Sequence, residues 1–79
     1  MRAAAELSLY PLADDYLTPI RDVIARLNTI DGLEVVTNAM STQVVGDYDV
    51  LMPALTREVR TSFEQHGKCV FVMKLLHLS

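Results

Sequence analysis

The spacing of apolar side chains along this chain switches repeatedly between two and roughly four, and each switch marks a change of element. Ala5, Leu7 and Leu9 alternate with Glu6, Ser8 and Tyr10, which predicts a half-buried strand over Ala3–Leu9. Pro11 ends it, because proline cannot donate to a sheet ladder. Asp14 and Asp15 follow, residue types that cap helix N-termini. Leu17, Ile20, Val23, Ile24, Leu27 and Ile30 then recur at steps of three and four, predicting a helix of about four turns. Pro19 sits near its start and Asp31-Gly32 closes it. Leu33–Thr37 and Ser41–Val45 read as two β-branched strands, joined through Asn38-Ala39-Met40 as a hairpin. After a break at Gly46–Asp49, Leu51, Leu55, Val59 and Phe63 define a second helix to about His66. Pro53 belongs in its opening turns, since a deeper position would cost about 3 kcal/mol, and this favours Asp49 over Asp47 as the cap. Gly67 ends the helix, and Cys69–Leu76 is a last strand, apolar except for Lys74.

Strand, helix, strand, strand, helix, strand is the order of one ferredoxin-like α+β domain over residues 1–79, βαββαβ. Its expected form is a four-stranded antiparallel sheet with both helices on one face. The pleat then sorts the side chains. Leu7, Leu9, Leu33, Val35, Thr37, Thr42, Val44, Cys69, Phe71 and Met73 face the helices, while Glu6, Ser8, Tyr10, Glu34, Val36, Gln43, Val45, Val70, Val72 and Lys74 face away. Four valines and a tyrosine among charges suit a sheet-to-sheet interface with a second copy, giving a homodimer or homotetramer. An ordinary amphipathic face with scattered valines is the other reading. Thr37 and Thr42 flank the hairpin on the helix side, where hydroxyls need partners. They fit either a polar corner of a pocket or local bonding to backbone.

The composition sharpens this in one respect. The chain has 79 residues, 51% of them hydrophobic, and a domain this small buries only about 60% of its unfolded surface. An apolar surplus at that size calls for self-association. The formal charge of −3, from seven basic and ten acidic residues, argues against a nucleic-acid footprint. No export signal or run of ~18 apolar residues is visible, so a cytoplasmic protein is expected.

Candidate chemistry is sparse. His66 and His77 have no spaced companions for a metal. Cys69 lies in an apolar strand with no charge to activate it, and a lone cysteine allows no internal disulfide. Asp14-Asp15 and Asp47/Asp49 both precede helices, where capping accounts for them. There is no glycine-rich phosphate loop, no pair of aromatics for RNA and no Cys-x-x-Cys. A non-enzymatic protein without cofactor is the expectation.

Two segments carry a resemblance. Glu6-Leu7-Ser8-Leu9-Tyr10-Pro11-Leu12 resembles the Ser-Leu-Tyr-Pro start of the YkoF-like family of thiamine- and hydroxymethylpyrimidine-binding proteins. Met40-Ser41-Thr42-Gln43-Val44-Val45-Gly46-Asp47-Tyr48-Asp49 looks like the family's second hallmark, and the similarity runs over essentially the whole chain. The resemblance implies binding of thiamine or its hydroxymethylpyrimidine portion without transforming it, in salvage or transport, and assembly into dimers or larger oligomers. Some relatives hold two copies of the domain in one chain; this chain has one, so a neighbouring subunit would have to complete any shared pocket.

The matched positions suit such a ligand. Ser8, Tyr10, Ser41, Thr42 and Gln43 offer hydroxyl and amide groups to an aminopyrimidine. Tyr10, Tyr48 and Asp47 could face a thiazolium, a cation–π contact being worth ~0.5–2 kcal/mol. Parity sets a conflict, since Thr42 faces in while Ser8, Tyr10 and Gln43 face out, so these five are not expected to line one pocket in one subunit. The expected ligand-binding residues are Thr37, Met40, Ser41, Thr42, Ser8, Tyr10 and Tyr48, with Thr42, Thr37 and Met40 favoured for an inner pocket. The competing function is a structural or regulatory oligomerisation module that binds a protein partner through its open sheet face. A concave pocket at Thr37 and Thr42 would separate the two.

Overall fold

In the computed structural model, which describes residues 1–79, six elements follow the predicted order. They are strand β1 (Arg2–Pro11), helix α1 (Leu17–Leu27), strand β2 (Leu33–Thr37), strand β3 (Thr42–Asp47), helix α2 (Tyr48–His66) and strand β4 (Cys69–His77). The strands pair antiparallel in the order β2-β3-β1-β4, which leaves β2 and β4 as the edges of a ferredoxin-like sheet. Alternate residues of β1, namely Ala3, Ala5, Leu7 and Leu9, are buried against Val23 and Leu27 of α1 and Leu51 and Leu55 of α2. Both helices therefore cover the same face. The opposite face is bare, with Val36, Val70 and Val72 exposed. No helix is long and apolar enough to cross a membrane.

Several boundaries differ from expectation, each for a local reason. β1 continues through Pro11 rather than ending before it, with Pro11 opposite Cys69. Backbone bonds from Leu12 N to Lys68 O and from Leu78 N to Arg2 O show that even-numbered residues of β1 turn their N–H and C=O toward β4. Odd-numbered residues turn toward β3. The N–H that Pro11 lacks would have pointed where β3 no longer runs, so the ladder loses nothing.

Helix α1 has 11 residues, three turns rather than four. The chain tightens after Leu27, with Thr29 N donating to Arg26 O and Ile30 N to Leu27 O. Ile30 packs on the core from this turn, which explains why it fits the helical spacing without being helical. Gly32 then takes φ +87°, a left-handed conformation that favours glycine. At the other end Tyr16 holds the N-cap position and Asp15 before it supplies the acceptor, its carboxylate accepting from Thr18 N at 3.2 Å and from Thr18 Oγ1 at 2.7 Å.

Asp47, not Asp49, caps α2, accepting from Asp49 N at 3.1 Å. Pro53 thus lies in the second turn. The carbonyl four residues before it belongs to Asp49 in the exposed first turn, where solvent can satisfy the bond proline removes. The helices are locked together by polar groups. Arg26 donates through Nε to the buried Glu58 carboxylate and through a terminal nitrogen to Ser62 Oγ at 2.9 Å. His66 Nε2 lies 2.9 Å from Asp22 Oδ2, so its partner is a side chain on α1 as well as the end of its own helix. On β3, facing the turn into β2, Gly46 is required by contact: a Cβ there would lie 2.6 Å from Leu33 Cδ2 and 2.8 Å from the Gly32 carbonyl oxygen.

Candidate functional site

The β1–β3 ladder stops at the pair Leu7–Thr42, whereas β1 goes on pairing with β4 for four more residues. The hairpin between β2 and β3 does not follow it. Asn38 folds the tip back on itself, its Oδ1 accepting from Met40 N at 2.8 Å and Ser41 N at 3.0 Å, while Asn38 N donates to Ser41 O. Between the overhang of β1 and this tip a cleft of about 500 Å³ opens, floored by Ile20 and Ile24 of α1 and flanked by Tyr10 and Tyr16. Volumes of about 300–1,000 Å³ are usual for small-molecule sites. Nine of its fifteen lining residues are hydrophobic, so polar contacts inside it are few and placed.

Six of the seven expected residues meet here: Ser8, Tyr10, Thr37, Met40, Ser41 and Thr42 all line the cleft. The five motif residues do not all line one pocket, but the division falls at Gln43: Thr42 shares the cleft with Ser8 and Tyr10 because the cleft begins where the strands part and wraps the end of the sheet. Side chains of both faces reach it. Gln43 stays outside, beside Ala4, Glu6 and Lys74 on the open face. Tyr48 also stands apart. It opens α2 at the far end of the sheet, where its N–H donates to Met1 O, and it lies with Met52, Leu75 and Leu76. Neither Tyr48 nor its neighbour Asp47 can reach the cleft of its own chain.

The hydroxyls divide into two kinds. Ser8 Oγ donates to Met40 O at 3.3 Å and Ser41 Oγ to Glu6 Oε2 at 3.1 Å, so both tie the hairpin tip to β1. Lys74 Nζ approaches the other oxygen of Glu6 at 3.7 Å. Thr37 and Thr42 bond each other, Oγ1 to Oγ1 at 3.1 Å, rather than the backbone. A pair of hydroxyls holds two donors and several lone pairs, so this one keeps capacity for a third group. Tyr10 and Tyr16 are both more than half exposed, their rings free to receive a flat partner. Tyr16, Asn38, Ile20 and Ile24 were not singled out by sequence; a lone tyrosine before a helix carries no sign of which cleft it borders. Burial pushes the Cys69 thiol up from its ordinary value, which disfavours a thiolate there. No group of three or more His, Cys, Asp or Glu side chains is placed to hold a metal ion.

Comparison with known proteins covers the same span. Residues 2–75 match the YKOF-related family. A Streptococcus pneumoniae protein superposes with a TM-score of 0.90 at 25% identity, covering 100% of this chain and 89% of its own. A hypothetical protein of Methanocaldococcus jannaschii gives 0.83 at 26% identity, covering 99% and 81%. A Thermotoga maritima protein, described provisionally as a thiamine biosynthesis/salvage protein, gives 0.86 at 14% identity over 99% and 85%, a likeness of fold alone. Among curated proteins nothing matches.

Proposed function

The chain belongs to the YKOF-related family, and from that premise we propose that it binds thiamine, or the hydroxymethylpyrimidine portion of it, in the cleft between β1 and the hairpin, without transforming it. The observation that carries this reading is the composition of the cleft: a Thr37–Thr42 hydroxyl pair set in an apolar recess and flanked by two exposed tyrosines. An aminopyrimidine needs both donors and acceptors, which hydroxyls supply. The thiazolium is a flat cation, suited to the face of Tyr10 or Tyr16 at ~0.5–2 kcal/mol. The provisional thiamine description of the Thermotoga protein is in keeping with this. A role in salvage or transport follows, since a binder without reactive groups can carry or sense a ligand.

The protein acts as an oligomer in this reading, a homodimer or homotetramer joined through the bare sheet face. Val36, Val70 and Val72 at 45–61% exposure are the support. The same face supports the second reading, an oligomerisation module that binds another protein. Titration calorimetry with thiamine and with hydroxymethylpyrimidine decides between them. Binding of either, lost on altering Thr42, upholds the ligand reading; no heat with both ligands on folded protein leaves the module.

A further inference from the structure

The overhang of β1 has a consequence for how the cleft would read a ring. Odd-numbered β1 residues turn N–H and C=O toward β3, and Leu7–Thr42 is the last pair of that ladder. The next pair in register would be Leu9 with Met40. It does not form, because Met40 has spent both groups elsewhere: its N–H donates to Asn38 Oδ1 and its carbonyl accepts from Ser8 Oγ. By this register Leu9 has a backbone N–H and C=O, side by side, with no partner in β3 or the hairpin. Leu9 is only 8% exposed and borders the cleft. A buried strand residue with both groups unpaired is rare, and leaving them so costs free energy.

We propose that the Leu9 backbone is the specificity element of the cleft, pairing by its N–H and C=O with an amidine-type edge, a ring nitrogen that accepts beside an exocyclic amine that donates. This inference rests on the aminopyrimidine reading above and adds which edge of the ring is read and by what. In antiparallel pairing one residue offers a donor and an acceptor to the same partner. A 4-aminopyrimidine presents the complement of that pair and takes the place Met40 leaves. A pyrimidine with hydrogen at C4 in place of the amine keeps the ring acceptor but brings no donor, and leaves the Leu9 C=O unpaired. Thr37 and Thr42 lack this directionality, since a hydroxyl can turn to suit either ring.

Amide hydrogen exchange on the whole chain, read by NMR, tests this with hydroxymethylpyrimidine and its 4-deamino analogue as probes. The Leu9 amide is expected to exchange fast in the free protein, between the slower amides of Ser8 and Tyr10 on the β4 side, and to slow roughly tenfold or more at saturation with hydroxymethylpyrimidine. The 4-deamino analogue is expected to bind at least about tenfold more weakly. Hydroxymethylpyrimidine that shifts Thr42 and Asn38 while Leu9 exchange stays unchanged overturns the inference and leaves the ligand reading standing. Equal affinity for the 4-deamino analogue does the same. Absence of binding by hydroxymethylpyrimidine removes both.

Discussion

At the scale of single residues, the two threonines at the hairpin carry the polarity of the cleft. Thr42→Val keeps shape and burial but removes one hydroxyl from the pair with Thr37. Affinity for hydroxymethylpyrimidine is expected to fall about 5–10-fold by calorimetry, with the far-ultraviolet circular dichroism unchanged. Asp15 shows the same logic in stability. The hydroxyl and amide of Thr18 hold its carboxyl below the ordinary 3.8. A depressed folded value stabilises above the unfolded one and is lost as pH falls through the folded one. Asp15→Ala is therefore expected to lower Tm at neutral pH and to converge on the parent as pH falls through the depressed folded value, where Asp15 is protonated in the folded and unfolded states alike. Residue types at these positions were legible: aspartates before a helix and paired threonines beside a turn. Which aspartate caps was not, because keeping Pro53 early favours Asp49, whereas solvent access to the exposed first turn lets Asp47 cap instead.

At the scale of elements, the period of apolar positions placed all six, since each buries one face of fixed spacing. The errors sit at ends, where bonding rather than burial decides. Ile30 satisfied the helical period from a turn, and Pro11 stayed in its strand because its absent donor faced no neighbour. The link between helices was invisible in sequence, since Arg26 and Glu58 lie 32 residues apart on faces that read as solvated. Glu58 is nonetheless buried, its side chain 9% exposed against 24% for Arg26. Removing one partner of such a pair strands the other's charge. Arg26→Ala is expected to cost about 3 kcal/mol in urea unfolding, and Glu58→Ala, made in the Arg26→Ala background, to cost much less than it does alone.

At the scale of the whole molecule, sequence parity assigned the bare face correctly but misjudged the cleft, because it treated the sheet as continuous to its ends. Two strands that part company put residues of opposite parity into one space, and a periodic pattern does not record where a ladder stops. The bare face itself leads to a test of assembly. Val72→Asp places a charge amid that surface and is expected to shift sedimentation to the monomer while the helical signal persists; an unchanged profile argues against joining through the sheet. The hairpin tip has a different bearing. It is held to β1 by two serine hydroxyls, not by main-chain pairing. Such moorings yield cheaply, so the recess can widen for a guest and settle back while every strand keeps its neighbours: the doorway swings, and the wall behind it stays whole.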